Sequence, residues 1–328
     1  MSTFKIEVVP IILEPHPNAD KLSIVHIKNY QVVVKTEDWL DKNMGIYIPP
    51  DSVVPNISAF KFLFKPSDPV AATYRIRVKK FRGCVSMGLL IPVPPLYSLP
   101  QTNILNTPNF ASVYGITHYE TPIEINTNGE TGKSPNLHIP IYDIENWYNY
   151  PNIFKDSEPI VITEKLHGAQ GRWLYHNEEY YAGSKREWKK EGNNIWWRAL
   201  NENNNLKSFL KIVPGTVVYG EVYGDVQDLK YEHMKGQISI RIFDIYDTLM
   251  PMFFNQKNIE EFAQEFHLSL VPIIQHTVYS SEKLQAEGIS YLGNHIREGI
   301  VIKPMIERFD NTIGRVILKK VSNDYLER

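Results

Sequence analysis

Cysteine is almost absent. Cys84 stands alone among 328 residues, which excludes an internal disulfide and any zinc site built on several cysteines. No apolar run reaches the ~18–20 residues that span a bilayer. The opening MSTFKIEVVPIILEPHPNAD lacks the basic start and small-residue cleavage site of a signal peptide. An excess of positive charge is lacking too. Lys and Arg number 35 against 37 Asp and Glu, a net charge of −2, so the chain is no bulk coater of nucleic acid and any such binding must use local patches. Neither GxGxxG nor GxxxxGK[ST] occurs, so neither a Rossmann nor a P-loop site is indicated. These absences together lead us to expect a reducing, intracellular location: cytoplasmic, or nuclear for a eukaryotic or viral protein. They give no sign of a membrane partner, and no obligate protein partner is expected.

What is present is an ordinary globular balance, 43% hydrophobic and 22% charged, with length enough for about two domains. The first part is rich in short β-branched or aromatic runs. KIEVVPIIL, SIVHIKN, YQVVV, GIYIPP, YRIRVKKF and GLLIPV are separated by the turn signals HPNAD, PPDSVVP and KPSDP. This pattern predicts a small β-barrel over residues 1–115, with a short helical stretch near DWLDKNMG. Residues 116–155 are poor in pattern and rich in Asn, Pro and Tyr, and read as a linker leading into a second domain, 156–328. There PIVITEKL, GRWLYHN, EEYYAGS, TVVYGEVYG, ISIRIFDIYD and EGIVIKP predict strands. IWWRALNENNNLKSFLKIV and NIEEFAQEFHLS predict helices, and KLQAEGIS a shorter one. Strands arriving as hairpins predict an α+β fold with antiparallel sheets.

The chemistry centres on Thr163-Glu164-Lys165-Leu166-His167-Gly168. A β-branched run ends there in a glycine turn, which sets Lys165 at a strand end facing a pocket. A lysine serves as a covalent nucleophile when its surroundings lower its pKa. Four more segments follow in order: Gly183-Ser184-Lys185-Arg186, Val218 to Gly224 with Glu221 between glycines, Arg241 to Tyr246 with Phe243, and Arg297 to Pro304 with Glu298, Val301 and Lys303. Val316-Ile317-Leu318-Lys319-Lys320 closes the series. Strict alternation places Glu298 and Lys303 on opposite strand faces, and Lys319 opposite Lys320, so a bend or a choice is required at both places. Trp196 and Trp197 lie about 100° apart on a helix, which favours core packing for at least one over an RNA stacking surface. Arg75, Arg77 and Lys79 alternate onto one face of a basic strand, a candidate grip on a phosphate backbone.

The ordered set resembles motifs I, Ia, III, IIIa, IV and V of the covalent nucleotidyltransferases, and is most similar to the ATP-dependent RNA ligase family with an N-terminal OB domain, typified by ligases of Deinococcus and Naegleria. HPNADKL in the first part also resembles tRNA-binding domains attached to aminoacyl-tRNA synthetases. The resemblance implies an OB-fold β-barrel followed by an adenylyltransferase domain. It implies ATP as nucleotide, with AMP carried covalently on Lys165, then transferred to an RNA 5′-phosphate and displaced by a 3′-OH. The RNA partner would carry 3′-OH and 5′-phosphate ends, as at a nick in a duplex. Glu221 and Glu298 would hold Mg²⁺ or Mn²⁺. Lys303, Lys319 and Lys320 would neutralise the α-phosphate, and Lys319, Lys320 and bound metal would lower the pKa of Lys165. Arg186 would contact ribose or phosphate. Phe243 would stack on adenine with Val301 on its other face, Glu164 would hold adenine through its backbone, and His167 and Gly168 would complete the nucleotide site. His167 stands where the Deinococcus-type motif has Asp, and the adjacent Lys319 and Lys320 depart from the family's lysines spaced by one residue. No segment resembles motif VI, which favours RNA ligases over DNA ligases and capping enzymes. The alternatives are those two enzymes, or an RNA- or tRNA-binding OB protein with an inactive transferase domain.

Overall fold

A computed structural model of the chain describes residues 4–93, 109–119 and 130–327. The chain divides into two units: residues 1–121 with 148–151 and 326–328, and residues 122–147 with 152–325.

In the first unit the alternating run of Leu22–Ile27 and Tyr30–Lys35 forms an antiparallel hairpin in which Val25 faces Val32. Met44–Ile48 lies between Glu7–Pro10 and Leu89–Pro92, and Ser52–Pro55 between Thr73–Arg75 and Thr117–His118. Ile6, Ile46, Ile48, Val54, Phe60 and Phe110 are fully enclosed and form the core. The basic run expected to be one strand is broken. Thr73–Arg75 pairs with Ser52–Pro55, whereas Lys79–Phe81 pairs with Cys84–Ser86. Ile76 and Val78 still point inward, so the alternation of burial outlasts the hydrogen-bonded ladder. Arg75 is committed to Asp51 at 2.7 Å and to the Tyr119 ring at 3.7 Å. The stretch DWLDKNMG forms no α-helix; only the 3₁₀ turn Thr36–Asp38 precedes it.

The second unit holds two sheets. One has the order Glu145–Asn146, Leu318–Val321, Gly299–Pro304, Pro159–Lys165, Ile273–Val278. It is antiparallel except for the Glu145–Asn146 edge, which pairs parallel with Leu318 and Lys319. The other runs Trp188–Lys189, Glu179–Ser184, Ala169–His176, Thr216–Gly224, Ile238–Asp247, Met252–Phe253, all antiparallel. Strand alternation gives this sheet two apolar faces. Trp173, Val218 and Ile240 pack with the helices Ile195–Asn201, Asn204–Ile212 and Gln256–Phe266. Leu174, Val217 and Tyr219 pack with Tyr142 and Ile317 on the other side. The first two helices begin where Asn194 and Asn203 accept the N–H groups of Trp197 and Leu206, satisfying donors that the first turn leaves open.

Trp196 and Trp197 are both core residues. Each is buried, and each indole N–H donates to a backbone carbonyl, of Gln170 and Lys189 respectively. That leaves neither ring for stacking on RNA. The short helix expected at KLQAEGIS does not form. A 3₁₀ turn at Ser281–Lys283 gives way to irregular backbone, because the buried Arg297 guanidinium draws in the carbonyls of Gln285, Ala286 and Glu287. The lead-in expected at 116–155 is also not a free-standing connection. Its residues 130–147 pair with Lys189 and Lys190 and supply a sheet edge to the second unit.

Candidate active site

A cavity of about 250 Å³ is lined from both sheets of the second unit. Thr163, Glu164 and Lys165 come from the end of one strand, Val301 and Lys303 from its neighbour, Lys319 from the next strand and Ile317 from the approach to it. Gln170, Glu221 and Phe243 come from the facing sheet, and Tyr142, Asp143 and Ile144 from the segment before the first strand.

Lys165 is the last residue of Pro159–Lys165, paired with Gly299. Its ammonium donates to Glu298 Oε1 at 2.6 Å. Glu298 lies just before the strand Gly299–Pro304, outside its alternation, which removes the conflict with Lys303: Val301 and Lys303 share the cavity face while Ile300 and Ile302 are fully buried on the other. Burial by itself would lower the Lys165 pKa, but the charges of Glu298 and Glu221 outweigh it and the net shift is upward. The expected downward shift is therefore not found. The two carboxylates favour the protonated amine. Lys319 is itself lowered, by burial and then by the Lys165 charge.

The carboxylates differ in state. Burial pushes Glu221 up to about 8, only partly offset by Lys165. Burial also acts against Glu298, but Lys165 and His167 outweigh it and hold its carboxyl below the ordinary range. Glu298 Oε2 is buried with no hydrogen-bond partner among the described residues. Two oxygen ligands that burial disfavours as anions, one with an open lone-pair position, suit a hard divalent cation. Among the described residues no cluster of three or more His, Cys, Asp or Glu side chains is placed to hold a metal, so a cation here would take its other ligands from water and substrate oxygens.

The adjacent lysines are separated by strand alternation. Lys319, in register with Val301, lines the cavity. Lys320 points the other way: its ammonium donates to the Leu284 carbonyl at 2.6 Å and sits 4.8 Å from the centre of the Trp147 ring. It therefore does not reach this cavity. Lys303 lines the cavity but is paired with the fully buried Asp244, which also accepts from Arg315 at 2.7 Å and from the Tyr142 hydroxyl at 2.8 Å. Arg186 is exposed in the turn after Glu179–Ser184 and does not line the cavity, whereas its neighbour Lys185 does, 2.8 Å from Asp143.

His167 also lies outside the cavity lining. Its ring is buried, with Nε2 2.7 Å from Asp228 and Nδ1 3.0 Å from the Tyr325 hydroxyl, while its backbone N–H donates to Tyr231 at 2.6 Å. It ties the turn after Lys165 in place. Gly168 sits under the facing strand, where a Cβ would collide with the Val222 carbonyl and meet Glu221 Cγ at 3.0 Å. Glycine is needed there for close approach, and its backbone hydrogen-bonds to the Glu221 carboxylate. Glu164 lines the cavity, but its N–H donates to Pro272 and its carboxylate accepts from the Tyr291 N–H. Tyr142, Asp143 and Lys185 are the polar or charged residues that stand out among the cavity residues sequence reasoning missed. The signal for Lys185 was in the tetrapeptide already singled out. Tyr142 and Asp143 lie in IPIYDIE, an apolar–polar run inside a stretch read as connection.

Comparison with known proteins follows the same division. Residues 158–321, half of the chain, match the RNA ligase family, and residues 5–93 match an OB-fold domain. No curated protein sequence matches the chain. Among solved structures, an apo variant of Naegleria gruberi RNA ligase superposes with a TM-score of 0.81 at 23% identity, over 100% of this chain and 98% of that chain. A second variant, with ATP and Mn, gives 0.79 at 22% identity and 98% coverage of both chains. The Naegleria gruberi enzyme with PPi gives 0.78 at 23% identity, over 98% of this chain and 97% of that chain. Identity this low speaks for the fold, an OB domain followed by a nucleotidyltransferase domain. The motif-bearing half, with its lysine, its two glutamates and their strands, decides the family: the chain belongs to the RNA ligases.

Proposed function

We propose that this protein is an ATP-dependent RNA ligase that joins 3′-OH and 5′-phosphate ends, with a nick in an RNA-containing duplex as its substrate. The observation that carries this reading is the Lys165 ammonium held 2.6 Å from Glu298 in a cavity also lined by Glu221, Phe243, Val301 and Lys319. Naegleria gruberi RNA ligase, similar over the whole chain, has been solved with ATP and Mn and with PPi.

In this mechanism Lys165 supplies the nucleophile. The ammonium first releases a proton to solvent, the neutral nitrogen then bonds to the α-phosphorus of ATP as the bond to pyrophosphate breaks, and a second proton leaves to solvent, with AMP on Lys165. The RNA 5′-phosphate then takes the AMP and frees the lysine. Attack by the 3′-OH forms the phosphodiester and expels AMP. Phe243 and Val301 offer apolar surfaces to adenine, and Lys319 offers its charge to the phosphates as that charge shifts. Glu221 and Glu298 would hold Mg²⁺ or Mn²⁺, which supplies positive charge to the phosphate oxygens and weakens the carboxylates' hold on the lysine proton.

Incubation with α-labelled ATP and Mn²⁺, followed by denaturing electrophoresis, tests this. Label stays with the wild-type chain and is lost in Lys165→Ala. Undiminished label in that variant would reject the assignment, and preferred capture of GMP would reject the ligase reading.

A further inference from the structure

The motif HPNAD in the first unit is not used by the chemistry above, and the structure gives it a task. Asn18 N–H donates to His16 Nδ1 at 3.0 Å, which leaves Nε2–H to donate to the Phe81 carbonyl at 3.0 Å. The Asn18 side-chain amide donates to the Arg82 carbonyl at 2.9 Å. Both carbonyls belong to the tip of the hairpin in which Lys79–Phe81 pairs with Cys84–Ser86. The motif is thus a clamp on that tip. The hairpin's second strand is fixed as well: the Gln31 side chain donates to the Val85 carbonyl, and Ser86 Oγ accepts the Val33 N–H.

The clamped tip is unusual in composition. Its two central residues, Arg82 and Gly83, have φ of 48° and 90°. A two-residue turn with both φ positive is normally built from Asn, Asp or Gly. Arginine in the first position is a choice against backbone preference. Its guanidinium makes no hydrogen bond or ion pair among the described residues, and Phe81 beside it is 41% exposed. No Asp or Glu occurs between Asp68 and Glu120, while Arg75, Arg77, Lys79, Lys80 and Arg82 do. A clamped, exposed finger with no acid in its own sequence, although Glu327 pairs with its Lys80, and with an aromatic beside its cations matches a polyanion carrying flat bases.

We infer that the Lys79–Ser86 hairpin is an RNA-docking finger of the first unit, that Arg82 contacts the phosphate backbone, and that His16 and Asn18 are positioning residues that hold it in place. This rests on the reading of the chain as an enzyme acting on RNA. Arg82→Asn removes the charge while giving the turn a residue that accepts its φ. Asn18→Ala removes the clamp on the Arg82 carbonyl and leaves every charge in place.

Full-length protein is titrated against a fluorescein-labelled nicked RNA duplex with a 5′-phosphate, from 50 to 200 mM salt, with adenylation by labelled ATP measured in parallel. For Arg82→Asn we expect affinity to fall about 3–10-fold, the slope of log K against log salt to shrink by about 1, and the melting temperature to hold or rise. For Asn18→Ala we expect weaker binding with the salt slope nearer wild type. Adenylation is unchanged in both. Wild-type affinity and slope in Arg82→Asn would overturn the proposal, as would a fall in melting temperature that accounts for the lost binding. Absence of adenylation in the wild type would instead overturn the ligase reading and leave the binding result standing.

Discussion

At the scale of single residues, neighbouring identical side chains have opposite surroundings. Lys319 faces the cavity and Lys165, and Lys320 faces a backbone carbonyl and an indole. Lys319→Ala should cut adenylation about 100-fold with little change in melting temperature, since a positioned charge is lost only from the reacting centre. Lys320→Ala should do the reverse, keeping adenylation within about 3-fold while costing about 1 kcal/mol of stability from the lost hydrogen bond. Parallel labelled-ATP and thermal-melt measurements separate the two, and an equal loss of adenylation in both would contradict the alternation argument. The sequence alone could state this choice but could not make it. Which lysine faces inward depends on the register of Leu318–Val321 against Gly299–Pro304, a contact between distant parts of the chain.

At the scale of elements, the turn after Lys165 joins the two sheets and decides how close they come. Gly168 is pressed against the strand that carries Glu221, and Gln227 donates to its carbonyl. Gly168→Ala would force the Val222 carbonyl and Glu221 Cγ to move. Overpacking of this kind costs about 1–3 kcal/mol. Because the displaced strand carries a metal-ligand candidate, adenylation should fall by about 10-fold or more and recover in part at higher Mn²⁺. A variant with normal adenylation would show that Glu221 need not hold that position. Elements of this kind were the most legible part of the chain. The β-branched runs ending at Lys165, the hairpins and the helix Gln256–Phe266 are local in cause, and the structure has them, while the helix expected over IWWRALNENNNLKSFLKIV is split into Ile195–Asn201 and Asn204–Ile212, the second capped by Asn203. The KLQAEGIS backbone was illegible because one buried guanidinium from Arg297 outbids helix propensity. The Tyr74–Arg82 run misled for a different reason: its alternation is real, but its two ends find different strand partners.

At the scale of the whole second unit, the two sheets are tied across the cavity by a buried charge network. Asp244 stands on one sheet and Lys303 on the other, with Arg315, Glu307 and Tyr142 closing the set. The sequence shows these residues, but their pairing spans separations that no local pattern encodes, and Tyr142 lies in a stretch that reads as connection. Burial alone would raise the Asp244 pKa, but Arg315 and Lys303 outweigh it and hold the carboxyl below its usual value. The sign of the linkage follows. A carboxyl depressed in the folded state contributes stability that is present above its unfolded pKa of about 3.9 and is lost as pH falls through the folded value. Asp244→Asn leaves Lys303 and Arg315 without their central anion, a change that costs about 3–5 kcal/mol near neutral pH. As pH falls below the unfolded value of about 3.9 towards the depressed folded one, the wild type surrenders part of the same contribution, so the gap between the two proteins should narrow. Urea unfolding at pH 7 and pH 3 measures that gap directly. A gap of equal size at both pH values would mean that Asp244 holds the sheets by shape and neutral hydrogen bonding rather than by the charges around it.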